Sequence, residues 1–247
     1  MRGKAYVIHL ERAVSRRSQA LLLGQSLPLP AELLPAVDGR AMSHEAITAV
    51  VRQAIHSPRY PFRLLASEVG CFLSHRRAWQ SILDDGIDAG LIVEDDVAIA
   101  SPEFNAVVRA AVSAIQPDEV IRFPLHERGE SRIVSRTLGG VRFLEPRLPG
   151  LGMQMQLVGR EAAMRLLDAS RSFDRPVDSF VQMQWIHGSR VLSARPVVIR
   201  EIDAMLGGTV IQNKQMGFVE KAYHELKRPF LRFAVRSANE TWRRRAA

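Results

Sequence analysis

The stretch Leu91-Ile92-Val93-Glu94-Asp95-Asp96, entered from Gly90, decides how this chain is read. Four small or apolar residues run directly into three acids. A short apolar run of this kind reads as a strand buried on both faces. Open α/β sheets place their ligands at the carboxyl ends of their strands, which is where these acids fall. Adjacent carboxylates repel and raise one another's pKa, so the position calls for a compensating charge. A hard divalent cation, Mg²⁺ or Mn²⁺, is one such compensator, and ions held this way commonly also hold substrate phosphates. The competing reading of the same residues is a charged turn after a strand.

Working outward, strand and helix patterns alternate. Lys4–Leu10 reads as a first strand and is followed by a polar helix carrying Arg12, Arg16 and Arg17. Leu33–Val37 reads as a second strand, stopped by the turn dipeptide Asp38-Gly39, and 44–55 as a helix. Residues 67–85 carry the strongest helical pattern. Val69, Phe72, Leu73, Trp79, Ile82 and Leu83 share one face, with Ser67 as N-cap and Glu68 in the first turn. Beyond the acids, helices are expected at 102–115, 160–169 and 177–185. Strands are expected at 119–123 and at 191–199, the latter broken by Pro196, and a hairpin at 131–145 turning at Gly139-Gly140. This alternation predicts an α/β sandwich around a largely parallel sheet.

At 247 residues the chain can bury a full core, and 47% apolar with 24% charged residues is ordinary for a globular protein. No apolar run reaches the roughly 18 residues of a membrane span. The N-terminus lacks the long apolar core of a signal peptide. The single cysteine, Cys71, forms no internal disulfide, and together these features predict a cytoplasmic protein. The net charge is +8, and residues 217–247 hold eight basic against three acidic residues. We divide the chain into a main domain over 1–216 and a basic amphipathic tail over 217–247. Such a tail suits an anionic membrane surface, ahead of a solvated helix and well ahead of nucleic acid, which is not expected as a partner.

Several catalytic patterns are missing. There is no G-x-G-x-x-G after the first strand, no P-loop and no G-x-S-x-G elbow. Cys71 and His75 are four apart on one helix face. Without an orienting third group, a buried structural cysteine is the better reading.

Ser67-Glu68-Val69-Gly70-Cys71-Phe72-Leu73-Ser74-His75 with Trp79 precedes Ile92-Val93-Glu94-Asp95-Asp96. Leu10-Glu11-Arg12, Arg16-Arg17 and Ala36-Val37-Asp38-Gly39-Arg40 lie upstream. Gly150-Leu151-Gly152, Pro176-Val177-Asp178 and Gly208-Thr209-Val210-Ile211 follow. This ordered set resembles glycosyltransferase family 25, the lipopolysaccharide and lipooligosaccharide biosynthesis glycosyltransferases, over roughly residues 4–211. It departs from the family where a tyrosine usually follows the second glycine, since here the chain reads Met153-Gln154-Met155-Gln156.

The resemblance implies a single GT-A-like domain with a Rossmann-like, mostly parallel central sheet flanked by helices. It implies transfer of a hexose, galactose first, from a UDP-sugar to an oligosaccharide or lipid-linked glycan acceptor, with inversion. Mn²⁺ or Mg²⁺ would sit on Asp96 with Glu94, and Arg12, Arg16, Arg17, Asp38, Gly39, Arg40, Glu94, Asp95 and His75 would serve the donor. Asp178, with Glu68 second, would be the base that takes the acceptor's proton; the competing role for both is a helix cap. A metal-dependent nucleotide-sugar hydrolase or phosphotransferase, or a non-catalytic relative, are the other readings of the same acids.

Overall fold

The computed structural model describes residues 1–127, 130, 133–202 and 218–246, leaving aside the side chains of 218–225 and 246. In chain order the elements begin with β1 (Gly3–His9), α1 (Val14–Ser26), β2 (Ala31–Pro35), a 3₁₀ turn at Gly39–Ala41, α2 (His44–Val50), α3 (Ala66–Asp84) and β3 (Ala89–Glu94). They continue with β4 (Val97–Ile99), α4 (Phe104–Ala114), β5 (Glu119–Arg122), β6 (Val134–Leu138), β7 (Val141–Leu144), β8 (Met155–Gly159) and α5 (Arg160–Ala169). The chain ends with α6 (Val177–Val181), α7 (Gln184–His187), β9 (Arg190–Arg195), β10 (Ile199–Glu201) and α8 (Phe218–Ala246). The block at 208–211 and the boundary placed at 216/217 lie outside the described residues.

Among the described residues, eight strands form one sheet in the order β2-β1-β3-β8-β5-β9-β7-β6. The pairings make β2, β1, β3, β5, β9 and β6 run one way and β8 and β7 the other. The expected mostly parallel sheet is therefore present, with an antiparallel strand driven through its centre. Alternation along the strands divides the core into two layers. Ala5, Val7, Leu91, Val93 and Leu157 face α1 and α4, whereas Tyr6, Ile8, Ile92 and Val158 face α3, α5 and α6.

Several expectations change. The helix expected at 44–55 ends at Val50. β8 carries no legible strand pattern, because Gln156 interrupts the apolar run of Met155–Gly159, yet all five residues are buried between β3 and β5. The helix expected at 177–185 is two short helices, separated at Gln182–Met183. The strand expected at 191–199 ends at Arg195, and after Pro196 the chain pairs with β4 as a separate two-stranded ribbon. The helix expected from Ser67 starts at Ala66, and the capping group is Glu68, whose Oε2 accepts from Leu65 N at 2.6 Å.

Two glycines seat the loop after β2 on α3. A Cβ on Gly70 would lie 2.5 Å from Gly39 N and 2.6 Å from Val37 O, and one on Gly39 would overlap the carbonyl of Ala66 outright. Backbone cannot yield to such contacts, so only this glycine pair lets the 36–39 loop reach the strand ends. Ser74 completes the seat, its Oγ accepting from Val37 N at 2.8 Å.

Candidate active site

Parallel pairing brings the carboxyl ends of β1 and β3 side by side, with Ile8 opposite Glu94. The three acids then diverge. Asp95 turns inward, its Oδ2 lying 2.7 Å from His9 Nδ1 while its Oδ1 accepts from Arg16 at 3.1 Å. Both of its oxygens are committed to bracing β1 and α1 against β3. Asp96 is placed differently. Arg16 lies 3.6 Å from its Oδ2, but its Oδ1 is buried with no hydrogen-bond partner among the described residues. Burial, then the charges of Glu94 and Asp95, push its carboxyl up to about 7 against the opposing pull of Arg16. A buried carboxylate oxygen without a donor, among like charges, fits a cation.

Glu94 stands between two cavities. The smaller, about 120 Å³, lies over the ends of β1, β2 and β3, and Arg12, Arg16, Asp38, Gly39, His75 and all three acids line it. Arg12 Nε donates to Asp38 Oδ2 at 2.5 Å, which closes one wall. The larger, about 600 Å³, is lined by Glu68, Asp178, Tyr60 and the 148–154 loop, with Arg228, Leu231, Arg232 and Val235 of α8 forming a further wall. Glu94 and Cys71 line both cavities, so the two spaces meet at these residues.

The loop at 148–154 is held by a buried ion network. Arg122 donates to Leu151 O and Gly152 O, each at 2.9 Å, and to Glu130 Oε1 at 3.1 Å. Glu130 accepts from Gly150 N at 2.7 Å and from Arg195 at 2.9 Å. Burial pushes the Glu130 carboxyl up, but Arg122, the hydrogen bond from Gly150 and Arg195 outweigh it and hold it below the usual carboxylate range. Asp178, in the first turn of α6, accepts from Ser179 N at 2.6 Å through Oδ1 and from Gly152 N at 3.2 Å through Oδ2. It ties the loop to α6 while presenting its carboxylate to the larger cavity.

The structure thus gathers Arg12, Arg16, Asp38, Gly39, His75, Glu94, Asp95 and Asp96 around one space, and Glu68 and Asp178 around the adjoining one. Arg17 and Arg40 are exposed and line neither cavity, although the Arg40 backbone N–H is capped by Asp38 Oδ1 at 3.1 Å. Glu68 is committed through Oε2 to the start of α3. Sequence reasoning missed His9, Gln156, the Arg122–Glu130–Arg195 network and the arginines of α8. His9 had one readable signal, a polar residue closing the first strand. The others depend on contacts between distant segments. Where the family tyrosine is missing, Met153 and Met155 are buried in opposite layers of the core.

The tail reading also changes in detail. The inner face of α8 docks on the domain: Asn239, fully buried, accepts from Gln184 N at 3.1 Å and donates to Gln182 O at 2.9 Å. Arg243 donates to Pro146 O at 2.8 Å.

Comparison with known proteins places this arrangement in a family. The pattern of glycosyltransferase family 25 (LPS biosynthesis protein) matches residues 3–138, from β1 through β6 and including all three acids. Human procollagen galactosyltransferase 2 is 30% identical over 95 residues, which are 37% of this chain and 15% of that protein. A Drosophila melanogaster glycosyltransferase 25 family member is 28% identical over 191 residues, 74% of this chain and 30% of its own length. An inactive glycosyltransferase 25 family member 3 of Mus musculus is 30% identical over 97 residues, 38% of this chain and 16% of that protein. The matched region is thus a small part of these longer relatives. Among solved structures, a mannose-1-phosphate geranyltransferase from Thermus thermophilus aligns over 80% of this chain and 75% of its own, at a TM-score of 0.40 and 9% identity. With the family pattern covering more than half of its residues, this chain belongs to glycosyltransferase family 25.

Proposed function

We propose that the chain transfers a hexose, galactose first, from a UDP-sugar to a hydroxyl of a lipopolysaccharide, lipooligosaccharide or other lipid-linked glycan, with inversion. The observation that carries this reading is the meeting of two cavities at Glu94, beside Asp96, whose Oδ1 has no hydrogen-bond partner among the described residues. The smaller space takes the nucleotide diphosphate and the larger the acceptor. Asp96 with Glu94 would hold Mn²⁺ or Mg²⁺, which would supply neutralisation of the charge that grows on the departing diphosphate. Arg16 and Arg12 add fixed positive charge on the same side. Asp178 takes the proton of the acceptor hydroxyl from the larger cavity as that oxygen attacks the anomeric carbon.

A nucleotide-sugar panel tested by thermal unfolding checks the donor side. UDP-galactose with Mn²⁺ at about a hundred times its Kd is expected to add about 2.7 kcal/mol, a shift of roughly 5–10 °C for a chain of this size. The shift should be lost when either component is left out. Free galactose as the sole product, with no transfer to a glycan, would turn the reading toward a hydrolase. No ligand-induced shift at all would turn it toward a non-catalytic relative.

We further propose that the protein works in the cytoplasm at the inner face of the membrane, with α8 as its contact. Leu226, Phe230 and Phe233 are spaced one helical turn apart and each is at least 68% exposed, on the side of α8 opposite Val235 and Asn239. Lys227, Arg236 and Arg244 flank this stripe, a pattern that suits anionic lipid. The double substitution Phe230→Asp and Phe233→Asp is expected to abolish co-sedimentation with vesicles containing phosphatidylglycerol. Unchanged co-sedimentation would remove α8 as the contact.

A further inference from the structure

The polar groups between α3 and β3 include a thiol that the transfer chemistry does not use, beside His75 and Glu94. Cys71 and His75 lie one turn apart on α3 and face Glu94 at the end of β3. His75 Nε2 is 2.9 Å, and Cys71 Sγ 3.8 Å, from the same oxygen, Glu94 Oε1. The three ligating atoms all lie within 4.8 Å of one another. A tetrahedral zinc ion bound by sulfur, nitrogen and oxygen spaces its ligands about 3.3–3.6 Å apart, from bonds of about 2.0–2.3 Å. Adjustments of a few tenths of an ångström would bring the His75–Glu94 and Cys71–Glu94 distances into that range.

An independent observation points the same way. Gln156, fully buried on β8, lies with its Nε2 3.1 Å from His75 Nδ1, while its Oε1 has no hydrogen-bond partner among the described residues. A half-turn of that amide lets Oε1 accept from an Nδ1–H. The imidazole then carries its proton on Nδ1 and turns a bare Nε2 toward Glu94 and Cys71. This is the outer-shell arrangement that orients metal-bound histidines. One glutamine thus offers His75 two settings: donor to Glu94, or ligand.

We propose that Cys71, His75 and Glu94 bind a single Zn²⁺, with Gln156 fixing the histidine tautomer and the fourth position open toward the two cavities. The thiolate selects a borderline or soft ion over Mg²⁺ and Mn²⁺, and the mixed sulfur, nitrogen and oxygen donors suit zinc. On binding, the Cys71 thiol loses its proton to solvent and the imidazole proton passes from Nε2 to Nδ1, so one proton leaves per ion bound. Glu94 Oε2 remains available to the donor side. The inference rests on this geometry and shares Glu94 with the proposed Mn²⁺ or Mg²⁺ site; the cobalt experiment, run without nucleotide sugar, reads the thiolate alone, so its outcome is distinguishable from that of the transferase reading.

The test uses Co²⁺ as a spectroscopic probe on the purified full chain, without nucleotide sugar. Cys71 is the only cysteine, so a thiolate-to-cobalt charge-transfer band can arise only there. The expected result is such a band in the near ultraviolet, saturating at one ion per chain and bleached by one equivalent of Zn²⁺. Calorimetry of Zn²⁺ binding in buffers of different ionisation heat should report one proton released. Gln156→Leu should keep the band but weaken the affinity about 10- to 100-fold, and His75→Ala should weaken it further. Cobalt binding without the charge-transfer band would overturn the proposal, as would a band whose affinity His75→Ala leaves unchanged.

Discussion

Asp96→Asn is expected to cut metal-dependent transfer by about 10²–10³-fold while making the metal-free protein more stable. The two effects share a cause. Asp96 is buried beside Glu94 and Asp95 with one oxygen that has no partner among the described residues, and its carboxyl is pushed up to about 7 from an ordinary 3.8. Between those values the folded chain binds more protons than the unfolded chain. Stability of the metal-free protein therefore falls as pH rises from about 4 to about 7, and the whole penalty stands above pH 7. At about 1.4 kcal/mol per pH unit the ceiling is about 4 kcal/mol; relaxation and the pull of Arg16 lower the expected gain to about 1–3 kcal/mol at pH 8. Urea unfolding of the wild type and Asp96→Asn at pH 5 and pH 8 reads this directly. The wild type should lose stability at the higher pH and recover it with Mn²⁺, whereas the variant should respond to neither. Turnover should fall by about 10²–10³-fold, the scale of losing one transition-state charge stabiliser. A variant that turned over normally would take Asp96 out of the site.

Asp178→Asn is expected to lower kcat by about 10²–10⁴-fold, the usual worth of a positioned general base, with the donor-induced thermal shift intact. Asparagine keeps one carbonyl oxygen for Ser179 N and loses at most the 3.2 Å contact with Gly152 N, so the fold should lose only about 1 kcal/mol. The split between kcat and donor affinity separates a base from a helix cap. A capping role alone would cost stability and leave kcat within a few-fold. The same measurement on Glu68→Gln should show the capping outcome, because Glu68 Oε2 already accepts from Leu65 N.

Much of this site was legible because its parts are local. The apolar run before Glu94 could only be a buried strand, and the acids had to follow at its end. The Gly39 and Gly70 positions belonged to recognisable blocks, although their reason, backbone packed on backbone, was not visible in one dimension. The hairpin announced itself through Gly139-Gly140, both with positive φ. β8 escaped because a buried glutamine interrupts its apolar pattern. That glutamine meets His75, 81 residues away in sequence, and no local rule predicts such a partner. The tail's charge and its apolar residues were readable, but the division of its two faces was not. Val235 and Asn239 turn toward the domain and Phe230 and Phe233 away from it only because α8 docks beside Gln182 and Gln184.

The sequence by itself determined the class of fold, the family and the segment that carries the acids, since strand burial, helix periodicity and ordered motifs are properties of neighbouring residues. Only the tertiary structure decided how the three acids divide their work. Asp95 is spent on His9 and Arg16, Asp96 is left with a buried oxygen that has no partner among the described residues, and Glu94 stands between two cavities with a histidine and a thiol at its side. Adjacent residues with the same charge are equivalent along a chain. They become different when the fold buries each against different partners, because a carboxylate's role is set by what desolvates it and by what neutralises it.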